Sequence, residues 1–80
     1  MKTEIFVQAI KGRYKIHLLY EYKEITFDPY LISVNKSGRK IIYGRINNSN
    51  AVCSLEYNKI LNIRPMEKSR FSPIIPLLPN

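Results

Sequence analysis

Tyr14-Lys15-Ile16-His17-Leu18-Leu19-Tyr20-Glu21-Tyr22-Lys23-Glu24-Ile25-Thr26-Phe27-Asp28 decides the fold of this chain. From Tyr14 onward the apolar residues recur with a period of two. Tyr14, Ile16, Leu18, Tyr20 and Tyr22 fall on one side, and Lys15, His17, Glu21 and Lys23 on the other. Leu19 is the one apolar residue among the polar ones. Strict alternation of this kind is the signature of a half-buried β-strand. A short turn at Lys23-Glu24 is expected next, and Ile25 and Phe27 then alternate with Thr26 and Asp28.

The same reading extends toward the C-terminus. Pro29 lacks a ladder donor, so it implies a strand end, an edge or a bulge. Tyr30, Ile32 and Val34 alternate up to a turn at Asn35-Lys36-Ser37-Gly38. A strand opened by Arg39 and Lys40 continues through Ile41-Ile42-Tyr43 to about Ile46. Asn47-Asn48-Ser49-Asn50 is a turn cluster. Ala51, Cys53 and Leu55 predict a short strand, Glu56-Tyr57-Asn58 a tight turn, and Lys59–Arg64 a last strand. Short strands joined by tight turns predict a mainly β chain, a small SH3-like or Sm-like barrel of about five strands.

Toward the N-terminus the period changes. Ile5, Phe6, Ala9 and Ile10 share a helical face, Thr3 is placed to cap it, Glu4 suits the positive end of the dipole, and Gly12 is placed to close it. A short α-helix over 4–11 follows, too short to be stable alone. Beyond Arg64 the prolines at 65, 73, 76 and 79 favour an extended chain. Phe71, Ile74, Ile75, Leu77 and Leu78 are too apolar for an idle linker. The expected organisation is therefore a barrel domain over 1–68 and an extended Pro-rich tail over 69–80. The tail either wraps its own barrel or docks onto a second chain, which would make the protein an interaction or oligomerisation module, a homo-oligomer through residues 71–78 being one form.

Eighty residues with a single cysteine, Cys53, leave no internal disulfide to support a small core. The first residues, Met1-Lys2-Thr3-Glu4-Ile5, do not read as a signal peptide, and no segment approaches the roughly 20 apolar residues that span a bilayer. A reduced, cytoplasmic setting away from membranes is expected. Thirteen Lys and Arg against six Asp and Glu give a formal charge of +7, which favours anionic partners: nucleic acid, a nucleotide or other anionic small molecule, or an acidic protein. The same charge also serves solubility, and the arrangement of the cations in space distinguishes the two.

The order of features resembles the WYL domain, a small Sm-like (SH3-like) barrel known from bacterial transcriptional regulators. The matching stretches are Gln8-Ala9-Ile10 with the basic run Lys11 to Lys15, Ile16-His17-Leu18-Leu19-Tyr20, and Asp28-Pro29-Tyr30. They continue with Gly38-Arg39-Lys40-Ile41-Ile42-Tyr43-Gly44, Leu55 through Lys59-Ile60 to Ile63, and Phe71 with Ser72-Pro73 as the closing aromatic. The naming tripeptide falls near Lys40-Ile41-Ile42, without its Trp and Tyr, and Lys59 takes the place of the family's arginine. The resemblance implies a regulatory module that senses an anionic ligand, a nucleotide or nucleic acid, in transcriptional regulation. The chain has no room for a helix-turn-helix beside the barrel, so the DNA-binding partner the resemblance implies is either a separate protein or another part of a longer regulator of which this domain is a piece.

Catalysis is not expected. His17 stands alone with no acidic or cysteine cluster at ligand spacing, so neither a metal nor another cofactor is expected. Cys53 lies in an apolar strand and reads as a small hydrophobe. The acids are scattered, and Gly12, Gly38 and Gly44 form no phosphate-cradling loop. The candidate binding residues are basic and aromatic: Arg13, Lys15, Arg39, Arg45 and Lys59, with Tyr30 and Tyr43. Arginine offers a fork of donors matched to phosphate, lysine a point charge, and tyrosine a face on which a base can stack. Tyr20 reads as core, since it shares a face with Ile16 and Leu18. For Tyr30 and Tyr43 the core and stacking readings stand level. The anion reading requires the five cations to meet on one side of the barrel.

Overall fold

The computed structural model describes residues 2–71. Helix α1 (Lys2–Gly12) is followed by strands β1 (Tyr14–Tyr20), β2 (Lys23–Val34), β3 (Lys40–Ile46) and β4 (Val52–Glu56). A single 3-10 turn at Tyr57–Lys59 leads into β5 (Ile60–Arg70). The five strands form one antiparallel sheet in the order β4-β3-β2-β1-β5. The chain is thus mainly β with one N-terminal helix. Among the described residues β4 and β5 do not pair, so the sheet is not closed.

The sheet nevertheless curls. The Tyr20 hydroxyl at the end of β1 accepts the Glu56 backbone N–H at the end of β4, at 3.1 Å. In a flat sheet those strands stand three spacings, about 14 Å, apart, farther than a tyrosine side chain reaches. Ile16, Leu18, Ile25, Phe27, Ile42, Leu55 and Ile60, drawn from all five strands, meet in one buried cluster with Phe6 and Ala9 of α1. The period-two face of β1 is therefore the core face, and α1 covers it.

One turn and both ends of the helix differ from expectation. The β1–β2 turn is Glu21-Tyr22, not Lys23-Glu24: Tyr20 pairs with Lys23, and both turn residues have positive φ, 50° and 68°. This is the backbone of a type I′ hairpin, which suits the twist of the strands and outweighs the lack of Asn or Gly. Tyr22 leaves the core face and is 86% exposed. At the helix end, Arg13, not Gly12, takes the left-handed conformation, with φ 56°. Gly12 instead makes room for the Tyr14 ring, which a Cβ would meet at 2.8 Å. The helix also starts earlier than expected, so Thr3 lies inside its first turn rather than capping it.

The last strand is longer than the pattern predicted. It begins at Ile60 and runs to Arg70, through Pro65, which pairs with Ile16, so residues 69 and 70 belong to the sheet rather than to the tail. β5 is an edge strand, where a missing N–H costs no ladder bond. It absorbs irregularity through register shifts against β1, one of them next to Asn62 at φ 53°. Pro29 lies in the long β2, at the register shift between Pro29 and Leu31 against β3, which is the bulge the sequence allowed. The remaining tail, including residues 72–78 of the expected oligomer contact, lies outside the described residues. Among the described residues no helix is long and apolar enough to cross a membrane.

Candidate anion-binding surface

With Ile16 and Phe27 turned into the core, the alternation sends Lys15 and Asp28 to the opposite face. Arg45 follows because it pairs in register with Asp28. The three form one row across β1, β2 and β3. Lys15 Nζ donates to Asp28 Oδ1 at 2.9 Å, and Arg45 Nη2 donates to Asp28 Oδ2 at 2.8 Å. The Asp28 side chain is 1% exposed, Arg45 10% and Lys15 18%. Two cations thus share one carboxylate, leaving one formal positive charge in a mostly buried site. The Arg45 Nε is buried with no acceptor.

The Asn47-Asn48 turn holds the open end of this row. Both residues have positive φ, 49° and 64°, which asparagine tolerates better than most residues. The Asn47 amide oxygen accepts the Thr26 N–H at 2.8 Å, while its own N–H donates to the Thr26 carbonyl at 2.7 Å. Asn48 Oδ1 accepts a second proton from Lys15 Nζ at 2.9 Å. An ammonium carries three donors, so Lys15 keeps one.

Arg13 lies at the start of β1, two residues before Lys15. Its carbonyl accepts the Phe71 N–H at 2.8 Å, and the neighbouring pair Tyr14–Arg70 brings Arg70 to the same corner. Arg13 and Arg70 are exposed, and neither forms an ion pair among the described residues. The Phe71 ring stands 5.7 Å from that of Tyr30. Tyr43, 37% exposed, lies two residues before Arg45 on the same face of β3 and pairs with Leu31. Tyr30, Leu31, Tyr43 and Val52 line an apolar groove of 280 Å³.

Arg39 and Lys59 do not join this group, so the expected meeting of all five cations on one side does not occur, and an anion site has to rest on Arg13, Lys15 and Arg45. From Lys40 to Arg45 the strand runs five residues, about 17 Å, and Arg39 precedes Lys40. Arg39 faces Glu56 at 3.5 Å, and Lys59 faces Glu21 at 3.2 Å. The Lys59 ammonium is held above its ordinary pKa by its hydrogen bond to Glu21, then by the charges of Glu21 and Glu56. A cavity of 440 Å³ lies beside this pair and is lined by Glu21, Tyr22, Asn58, Lys59 and Leu61. It is distant from the buried row, and its one cation is already matched by an acid.

Of the seven candidates, then, Lys15 and Arg45 meet on one carboxylate, and Arg13 and Tyr30 are linked to each other through Phe71. Tyr43 lies along the strand from Arg45, and Arg39 and Lys59 stand elsewhere. The residues missed were Asp28, Asn48 and Arg70. Asp28 was visible in principle, because its place in the alternation puts it on the face of Lys15. Burial pushes the Cys53 thiol above its ordinary pKa, away from the thiolate. Among the described residues there is no cluster of three or more His, Cys, Asp or Glu side chains. No family model, curated protein or solved structure matches this chain.

Proposed function

We propose that the chain is a WYL-like regulatory or sensory module with an SH3-like barrel fold. It binds an anionic ligand, a nucleotide or single-stranded nucleic acid, and serves transcriptional regulation beside a separate DNA-binding protein. The observation that carries this reading is the imbalance at Asp28: a buried and a half-buried cation on one carboxylate, with the Arg45 Nε lacking an acceptor. A buried donor without a partner is costly, and an excess buried charge more so. A phosphate at the Lys15 end would supply the missing negative charge and an acceptor for the third Lys15 proton. Arg13 and Arg70, unmatched at the rim, would draw the anion in and hold its outer oxygens. The strand order and the covering helix are compatible with a small barrel of this kind.

Phosphate contacts make affinity fall with salt, by a log–log slope of about −0.7 per contact for a single strand. Binding of a short oligonucleotide and of ATP to the full chain, measured at 50 and 200 mM salt, tests the reading. The expected result is salt-sensitive binding that weakens at least tenfold in Arg13→Asn/Arg70→Gln, a variant whose substitutions keep the backbone preferences of both sites. No binding of either ligand at low salt would overturn it.

A further inference from the structure

We infer that two copies of this chain pair, antiparallel, through the free edge of β4, joining their sheets across a two-fold axis. The inference does not depend on the anion reading. The sheet has two open edges, and they are built differently. β5 carries Arg64, Glu67, Lys68 and Arg70, with Pro65 among them. Charges and proline are what keep an edge strand from pairing with another chain. β4 has only Glu56, at its end and facing Arg39. Residues 46–55 are the longest run without a charged side chain among residues 2–71.

The bonds already made show which groups this edge leaves open. The Glu56 N–H reaches the Tyr20 hydroxyl, so it points away from β3. Backbone groups of alternate residues in an antiparallel ladder point the same way. The N–H and C=O of Ser54 and Val52 therefore also face outward, where no further strand stands among the described residues. Tyr20 closes off Glu56, which leaves Val52 to pair with Ser54 of the second copy, and the reverse, about the axis. Both side chains are exposed on the face opposite the core, Val52 to 42%, and the pairing covers Val52. Charge selects the occupant. Each copy carries +7, so two copies repel over most of their surfaces, and this uncharged edge is where they approach most easily. An acidic partner would find no cation on β4 to recognise. A second copy brings the same uncharged strip, and self-pairing about a two-fold gives a closed contact. The contact is small, and small interfaces belong to weak, reversible pairs.

Sedimentation of the full chain from low micromolar to about 1 mM, with amide exchange followed residue by residue, tests this. The expected result is a monomer at the low end and a dimer at the high end. Exchange of the Val52 and Ser54 amides should slow several-fold in step. Salt screens the repulsion between copies, so the dimer should strengthen as salt rises, the reverse of anion binding. Ser54→Lys, at an exposed position, should keep the chain monomeric at an unchanged melting temperature. Ser54→Pro, which removes an outward donor and spares the β3 ladder, should also keep it monomeric. A chain that is monomeric throughout overturns the inference. So does a dimer that both variants leave intact, since it pairs elsewhere, or one that weakens with salt. Val52 and Ser54 protection equal at every concentration overturns it too, in favour of a cover from the same chain.

Discussion

The Asp28 carboxylate lies 2.8 Å from the Arg45 guanidinium across the β2–β3 ladder, on the side of the sheet turned away from the core. Both are buried, and Lys15 holds the second carboxylate oxygen. The charges are not interchangeable in their consequences. Asp28→Asn strands the buried Arg45 and the half-buried Lys15 and should destabilise the chain by about 3–5 kcal/mol. Lys15→Met leaves a matched Asp28–Arg45 pair and keeps an apolar stem, so it should cost about 1 kcal/mol or less. Urea unfolding of the two variants beside the parent checks the order. Equal losses would mean that the third charge is not in excess.

Gly44 faces Pro29 across the same ladder, and its lack of a side chain is used fully. A Cβ there would fall on the Asp28 carbonyl oxygen and 2.6 Å from the Phe27 ring. Neither neighbour is the end of a flexible side chain: one is backbone in a central strand, the other a core ring. Gly44→Ala should therefore lose about 3 kcal/mol, whereas Gly38→Asn, in an open turn at φ 81°, should lose far less. Thermal unfolding of the two variants separates a packing requirement from a general glycine effect.

What the sequence disclosed follows from which interactions are local. Alternation over Tyr14–Tyr20 named the core face of β1 correctly, because a strand's two faces are fixed by its own pleat. The Asn47-Asn48 turn was equally legible, since asparagine's tolerance of left-handed backbone is local chemistry. The Glu21-Tyr22 turn was not, because the partner strand's register, rather than turn propensity, imposed positive φ on two unsuited residues. β5 beyond Pro65 was missed for a similar reason. Proline disfavours a strand in general but not at a sheet edge, and edge position is a property of the whole sheet. The candidate cations were selected by type alone. Sequence showed the donors, but only the β1–β2–β3 register assigned Lys15 and Arg45 to one carboxylate, and only the folded chain set Arg39 and Lys59 against Glu56 and Glu21.

The Glu21-Tyr22 turn carries removable strain. A left-handed residue with a side chain costs about 1–2 kcal/mol, and Tyr22, almost wholly exposed, recovers little of it by packing. Glycine relieves this strain but loses about 0.5–1 kcal/mol more chain entropy on folding. Tyr22→Gly should thus be more stable than the parent by about 0.5–1 kcal/mol, while Tyr22→Val should be less stable. Denaturant midpoints at constant m-value provide the comparison.

Cys53 gives a pH-dependent outcome. Its pKa is raised in the folded chain by burial alone. The thiol form is therefore favoured by folding, and its contribution is complete below the ordinary thiol pKa. It is lost as pH rises through the folded value, because the unfolded state ionises first. The expected result is a fall in stability above about pH 9 that Cys53→Ala lacks, and alkylation at pH 8 slower than that of free cysteine. Alkylation at the free rate would mean that the thiol is not shielded.

Tyr57 and Lys2 provide the last contrast, at the junction of α1 with the 3-10 turn. The Tyr57 hydroxyl is buried without a partner, although its ring packs against Phe6 at 5.5 Å. The Lys2 ammonium donates to the Tyr57 and Ile60 carbonyls, at 2.7 and 3.1 Å, tying the helix start to the turn and the start of β5. Removing an unsatisfied hydroxyl relieves a desolvation penalty of about 1–3 kcal/mol, whereas removing a charged donor forfeits bonds of about 1.5–3 kcal/mol each before water replaces them. Tyr57→Phe should therefore be neutral or stabilising, and Lys2→Met destabilising. If Tyr57→Phe instead costs stability comparable to Lys2→Met, the hydroxyl has a partner, and hydrogen exchange at the Tyr57–Lys59 turn in the two variants would locate it.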